Sequence, residues 1–152
     1  MRDETAPRPA RAEDAGAIET LSRQAYAVMA ARLGRPPGPL DADYRRVLAE
    51  HPAWVIEAGG RIEAVIVIHE AADHLLIWNV AVDPPLHGRG LGSRLIGFVE
   101  AEARRRNLPE VRLYTNALMP ENIHFYGRLG YRETRREPHK GGMLVHMSKT
   151  LM

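Results

Sequence analysis

Apolar residues recur at intervals of three and four along residues 12–34, and this spacing predicts an amphipathic helix. The stripe that faces the core is expected to contain Ile18, Leu21, Ala25 and Val28 or Met29. Gly34 is a suitable end for this helix, because glycine readily adopts the conformation that closes helices. A loop rich in proline and glycine follows, and then a shorter helix that Asp41 is expected to cap and Pro52 to end.

After Pro52 the spacing of apolar residues changes to a pattern that is typical of strands. Residues 53–71, AWVIEAGGRIEAVIVIHEA, predict two strands joined at Gly59 and Gly60. Residues 74–83, HLLIWNVAVD, are apolar enough for a strand that is buried on both faces. A short extended segment is expected earlier, around residues 7–10.

A strand–helix–strand order is predicted for the second half of the chain. A helix begins at Ser93, with an apolar stripe of Leu91, Leu95, Val99 and Ala103. Residues 111–116, VRLYTN, predict a strand, and residues 120–131 a short helix that closes on Gly130. The tail GGMLVHMSKTL returns as a strand. We therefore predict one α/β domain over residues 1–152, a mixed sheet with a right-handed parallel crossover between residues 74–83 and 111–116.

Composition narrows the classes of function. The 152 residues carry a net charge of +2, which is too small to indicate a nucleic-acid or membrane partner by itself. There is no cysteine, which excludes disulfides and a thiol nucleophile. The seven histidines have no paired ligand spacing, so we expect no metal site. The polar N-terminus and the lack of a long apolar run predict a cytoplasmic protein.

Residues 83–94, DPPLHGRGLGSR, place three glycines at the end of a predicted strand. A Walker loop is excluded because no lysine follows, and the spacing G-x-G-x-G departs from the dinucleotide fingerprint G-x-G-x-x-G. A strand-to-helix turn whose N–H groups hold a pyrophosphate fits better, with charge added by Arg89 and Arg94. A tight turn without a ligand is the alternative.

The segments VAVDPPLHGRGLGSRLI and YTNALMPENIHFYGRLGY together resemble the GNAT superfamily of acyl-CoA-dependent N-acyltransferases. The first is similar to that family's pyrophosphate loop, Q/R-x-x-G-x-G/A, with Gly90 and Gly92 as its glycines, and the second to its FYxxxGF helix. The similarity spans about residues 75–132, and His87 departs from the usual Gln or Arg. The resemblance implies a mostly antiparallel sheet with a splayed parallel strand pair, flanked by helices.

The resemblance also implies a co-substrate, acetyl-CoA, and residues that bind it. The main chain of Val80, Ala81 and Val82 would pair with the pantetheine arm. The pyrophosphate would lie against the loop formed by His87, Gly88, Arg89, Gly90, Leu91, Gly92 and Ser93. Asn122 would bind pantetheine, and Asn116 either reaches the cofactor or caps a turn.

The implied reaction is direct attack of a primary amine on the thioester. Tyr126 would stand near the sulfur and protonate the departing thiolate as a general acid. Some relatives use a Glu early in the strand before the loop as a base, but this chain has Leu75 to Trp78 there. The nearby polar candidates are His69, Glu70, His74 and Asn79.

Three functions stay open from the sequence. An N-acetyltransferase for a small amine is the main hypothesis. A protein N-terminus or lysine is an alternative acceptor, and a non-catalytic acyl-CoA-binding module is the other alternative. A peptide acceptor would need an open groove between residues 29–45 and the loop expected at 135–142. The oligomeric state also stays open, with a homodimer as one alternative.

Overall fold

A seven-stranded mixed sheet organises the protein, and the structure, a computed structural model, describes residues 6–151. Its strands are β1 (Arg8–Pro9), β2 (Ala53–Ala58), β3 (Arg61–Glu70), β4 (His74–Val82), β5 (Glu110–Asn116), β6 (Arg132–His139) and β7 (Gly142–Thr150). The helices are α1 (Ala15–Ala25), α2 (Ala27–Leu33), α3 (Tyr44–Glu50), α4 (Leu91–Arg105) and α5 (Pro120–Arg128). The spatial order is β1-β2-β3-β4-β5-β7-β6, and only β4 and β5 pair in parallel. The predicted mixed sheet is confirmed.

Helices cover both faces of the sheet and divide the core into two clusters. On the cofactor face, as we call the side that carries α4 and α5, the predicted α4 stripe is buried against β3, β4 and β5. On the opposite side, which we call the acceptor face, α1 and α3 pack on β2, β3 and one half of β4. No residue of β4 is exposed, so the expectation of a strand covered on both faces is confirmed.

The parallel pair β4 and β5 separates halfway along its length. Pairing runs from His74 opposite Glu110 to Ile77 opposite Leu113 and then stops, although both strands continue. A β-bulge lies at the point of separation, because Ile68 and Val67 of β3 oppose Ile77 and Asn79 of β4, which leaves Trp78 as the extra residue. The splayed strands open a gap through the sheet.

The C-terminal hairpin differs from the sequence prediction. The segment 135–142, expected as a loop, is mostly strand, since β6 pairs with β7 as far as His139 opposite Gly142. The prediction failed because β6 is an edge strand with almost every residue exposed, so its sequence lacks the alternation of apolar and polar residues that predicts a strand. Charged side chains and Pro138 are typical of a protected edge.

Three boundaries in the helices were also wrong. The helix expected over 12–34 is interrupted at Tyr26, which leaves α1 and α2 on either side and Val28 54% exposed. Asp43 rather than Asp41 caps α3, because Asp43 Oδ1 accepts the N–H of Arg45, whereas Asp41 ends the preceding 3-10 turn Gly38–Leu40. α4 begins at Leu91 instead of Ser93, directly after Gly90. Within residues 6–151, no helix is long and apolar enough to cross a membrane.

Candidate functional site

A cavity of about 600 Å³ occupies the gap between the splayed strands. Its walls come from the α1–α2 junction and α2 on the acceptor face, and from α4 and α5 on the cofactor face. Its base is the end of β4, from Val80 to Val82. The cavity therefore joins the two faces of the sheet, and a ligand that fills it can be reached from both.

The loop before α4 presents a row of unpartnered main-chain donors to this cavity. Within the described part of the chain, the N–H groups of residues 88–93 make no hydrogen bond. Gly88 and Gly90 have φ of 85° and 81°, while Arg89 between them does not share this left-handed conformation. Such an alternation turns successive N–H groups toward one concavity, and the positive end of α4 adds to the attraction for an anion.

Side chains around the loop add positive charge and leave the donors accessible. Arg89 and Arg94 are exposed, and neither forms an ion pair with a described residue. A methyl group at Gly88 or Gly90 would meet no other atom within 4 Å, so close packing does not require glycine there. Glycine is required instead by the positive φ, and it leaves the N–H groups open to a ligand. The geometry of the loop fits a diphosphate.

The free edge of β4 offers main-chain groups to the cavity at alternate residues. The N–H of Asp83 bonds to β3, so Val80 and Val82 turn their polar groups the other way, into the gap. The main-chain N–H and C=O of Ala81 face β3, so Ala81 borders the cavity without offering these groups to it. Both gap-facing carbonyls have partners: the Tyr26 hydroxyl donates to Val80 at 3.4 Å, and His87 Nε2 lies 2.8 Å from Val82 O.

Tyr126 of α5 lines the cavity, and its hydroxyl has no hydrogen-bond partner among the described residues. Burial raises the pKa of Tyr126 to about 12. The phenol therefore keeps its proton across the physiological range. It can donate this proton but cannot serve as a base near pH 7.

The two predicted asparagines are placed differently. Asn122 lines the cavity and its amide donates to Thr115 Oγ1 at 3.4 Å, which ties α5 to β5. Asn116 does not line the cavity, and its Oδ1 accepts the N–H of Leu118 in an Asx turn. This contact matches the alternative in which Asn116 caps a turn. Arg89 is the other predicted residue that does not line the cavity.

None of the four nearby candidates for a base lines the cavity. His69 stacks between His51 and Trp78, and Glu70 pairs with Arg106. His74 pairs with Asp73. Asn79 is buried, and it donates to Ser22 and Tyr44 while its Oδ1 has no partner. No cluster of metal-ligating side chains occurs among residues 6–151.

The sequence predicted residues 29–45 beside a peptide acceptor, but it did not single out Tyr26 or Val28 in the acceptor-side wall of the cavity. Tyr26, Val28 and Met29 line it from the region of the helix break. Burial raises the pKa of Tyr26 well above its ordinary value, and the neighbouring Tyr126 adds to this shift. The periodicity of the helix marks Val28 or Met29 only as core-facing and leaves Tyr26 out, because it carries no information on which strand these residues meet.

Comparison with known proteins supports this geometry. A sequence model of the acetyltransferase (GNAT) family matches residues 17–131. The chain is 32% identical over 153 residues to the S-(2-succino)cysteine N-acetyltransferase of Bacillus subtilis (strain 168), an alignment that covers 91% of each chain.

Two solved structures show the same fold. The ribosomal-protein-S18-alanine N-acetyltransferase from Escherichia coli superposes with a TM-score of 0.73 at 18% identity, over 96% of this chain and 93% of that one. PaiA N-acetyltransferase from Thermoplasma acidophilum, solved in complex with coenzyme A, superposes with a TM-score of 0.76 at 14% identity, over 95% and 98% of the two chains. At these identities the likeness concerns the fold alone.

Proposed function

Because this chain belongs to the GNAT acetyltransferase family and acetyl-CoA is the co-substrate of that family, we propose that it acetylates the primary amine of a small molecule, with Tyr126 as the general acid. The observation that carries the proposal is one cavity that holds both an anion-binding loop and a free phenol. The unpartnered N–H groups of residues 88–93 would hold the diphosphate. The gap would then lead the pantetheine arm toward Tyr126.

The residues at the gap divide the chemistry between them. The N–H of Val80 faces the gap, so it can donate to the thioester carbonyl as negative charge develops on that oxygen. The amine nitrogen attacks the carbonyl carbon and the carbon–sulfur bond breaks. Tyr126 then donates its proton to the departing thiolate. Since the chain has no cysteine, the acyl group passes directly to the amine rather than through an acyl-cysteine.

We propose that the acceptor is a carboxylate-rich amino acid, such as the substrate that the Bacillus subtilis relative is named for. Cationic side chains where the end of α2 meets the β6–β7 turn, beyond the residues that line the cavity, support this choice. Arg35 follows α2, and its guanidinium donates to the carbonyls of His139 and Lys140 in the β6–β7 turn. Neither Arg35 nor Lys140 forms an ion pair within the described residues, so both can receive an anionic substrate.

The first experiment measures free thiol released from acetyl-CoA with S-(2-succino)cysteine as acceptor. S-propylcysteine, which lacks the succinyl carboxylates, is the matched control acceptor. We expect kcat/KM to be at least about tenfold higher for the succinyl compound, because charge-assisted bonds contribute about 1.5–3 kcal/mol each. Equal rates would remove the carboxylate argument, and no thiol release with any amine would remove the proposed function.

The second experiment tests Tyr126. Tyr126→Phe is expected to lower kcat by about 100-fold, since general acid catalysis typically contributes that much or more. The dissociation constant of coenzyme A should stay within about twofold, because the hydroxyl is not among the groups that would hold the diphosphate. An equal loss of turnover and affinity would assign Tyr126 a binding role instead.

A peptide N-terminus is the second candidate acceptor, and one observation favours it. The large hydrophobic side chains with the greatest exposure among the described residues are Val28, Tyr114, Leu118 and Met143. They belong to α2, to β5 and the turn after it, and to β7, and Val28 is the one of the four that lines the cavity. A tetrapeptide with a free N-terminus, added to the same thiol assay, distinguishes this alternative.

A further inference from the structure

A polar cluster on the acceptor face has no counterpart in the sequence prediction. Tyr114 of β5 lies directly opposite His146 of β7, and the two ring centroids are 5.7 Å apart. His146 Nε2 lies 2.6 Å from Glu137 Oε1 on β6. β5 and the β6–β7 hairpin therefore bring these side chains to one side of the sheet.

This cluster lies level with the point at which β4 and β5 separate. Ile77 and Leu113 are the last paired residues and point to the cofactor face, so the next residues, Trp78 and Tyr114, point to the acceptor face. His146 follows one strand further on, opposite Tyr114, so Tyr114 stands between His146 and the separated edge of β5. Tyr114 also contributes to the raised pKa of Tyr26, which lines the cavity.

The hydrogen bond between His146 and Glu137 determines which ring nitrogen is free. The hydrogen bond from His146 and the nearby Arg135 hold the pKa of Glu137 below its ordinary value, so this carboxylate stays ionised. An ionised carboxylate only accepts hydrogen bonds, so Nε2 must carry the hydrogen. In the neutral form of the ring Nδ1 then keeps its lone pair, and within residues 6–151 it has no hydrogen-bond partner.

From this geometry we infer that His146, oriented by Glu137, is the general base that takes a proton from the acceptor amine, on the face of the sheet opposite to Tyr126. The inference rests on the proposed acetyl transfer. An imidazole is suited to this step because it exchanges protons near neutral pH. None of His69, His74 and His146 lines the cavity, but His146 stands beside Tyr114 at the level where β4 and β5 separate. His74 lies at the opposite, paired end of β4, and His69 is stacked between His51 and Trp78.

The proton balance is complete with groups already named. The acceptor ammonium gives one proton to Nδ1 of His146, and the neutral amine attacks the thioester carbonyl. When the carbon–sulfur bond breaks, the thiolate takes the Tyr126 proton, and the second proton of the nitrogen returns to the Tyr126 phenolate as the amide forms. His146 releases its proton to water, so each turnover gives an amide, a thiol and one proton.

The test is the pH dependence of kcat/KM for acetyl transfer in His146→Gln, with the acceptor that releases thiol fastest in the wild type. We expect a loss of about tenfold or more at pH 7, which shrinks as the pH approaches the pKa of the free amine. The charged and titratable groups that face His146 are Glu137 and Arg135 from β6, and Tyr114 and Arg112 from β5. Because these groups also shape the profile, the wild-type and variant profiles are compared at one ionic strength.

A second variant and a matched control keep the inference falsifiable. His146→Ala opens space for free imidazole, so added imidazole should restore activity to His146→Ala but not to Tyr126→Phe. His74→Gln removes a comparable pair, in which His74 Nδ1 lies 2.7 Å from Asp73, and it should stay within about twofold of wild type. If His146→Gln keeps the wild-type rate and pH profile, or if imidazole rescues nothing, His146 is not the base. A wild type that neither binds coenzyme A nor releases thiol would instead overturn the proposed function.

Discussion

In the proposed function, the two faces of the sheet would recognise their ligands with different parts of the chain. On the cofactor face, the binding groups would be the main-chain donors of residues 88–93 and the edge of β4, which come from one continuous segment. On the acceptor face, the polar groups would be side chains of Tyr26, Tyr114 and His146, which come from an interrupted helix and two strands. The gap between β4 and β5 lies between the two sets.

This difference has a physical consequence for specificity. Main-chain N–H groups are present in every sequence that adopts the turn, so we expect the cofactor face to tolerate changes such as His87 where the family has Gln or Arg. Side-chain recognition depends on the identity of each residue. We therefore expect the cofactor face to be sensitive to backbone conformation, and the acceptor face to be sensitive to chemical substitution.

The largest effect is expected from a change in the backbone of the loop. Gly90→Val places a β-branched residue at φ 81°, a conformation that such side chains rarely adopt. We expect the dissociation constant of coenzyme A, measured by calorimetry, to rise by about 100-fold. Gly97→Ala, on the exposed side of the same helix, is the matched control and should leave affinity unchanged. Affinity within threefold of wild type in Gly90→Val would contradict main-chain recognition.

An intermediate effect is expected at Gly92, where the backbone is unstrained. A methyl group there would lie 3.7 Å from Val82 Cγ2, which is an ordinary contact, so Gly92→Ala should fold with an unchanged midpoint of thermal unfolding. We expect coenzyme A to bind about tenfold more weakly, because the methyl group would occupy the approach of the diphosphate to the helix end. Unchanged affinity would show that no ligand comes close to Gly92.

A smaller effect of opposite sign is expected at His87. Its Nε2 is hydrogen-bonded to the carbonyl oxygen of Val82, which would otherwise be free to accept a hydrogen bond from the pantetheine arm. His87→Ala frees this carbonyl, and we expect coenzyme A to bind about threefold more tightly. Weaker binding would instead favour the prediction from the motif, in which residue 87 helps to hold the diphosphate.

The smallest expected effect is the response of Tyr126 to pH. Since its pKa is raised to about 12, the phenol keeps its proton as the pH rises from 7 to 10. A general acid loses activity above its pKa, so Tyr126 should cause no decline in kcat over this interval. A basic limb below about pH 10 that disappears in Tyr126→Phe would contradict this assignment.

The elements that the sequence predicted well have a strong local signal. The hairpin at Gly59–Gly60 and the stripe of α4 follow from periodicity and turn chemistry, and both are confirmed. The edge strand β6 and the break at Tyr26 were missed because neither has such a signal. β6 exists only because β7 pairs with it, and the side chain of Tyr26 reaches across to the β4 carbonyl at residue 80.

By itself, the sequence determined the parts of the site that lie within one segment. The loop at 88–93 and the cavity-facing residues 122 and 126 of α5 could be located because turn geometry and helical spacing act over a few residues. Only the tertiary structure decided which edge groups of β4 face the gap and which side chains stand on the acceptor face. Strand register and the bulge at Trp78 set those directions, and both result from pairing between segments that are far apart in the chain.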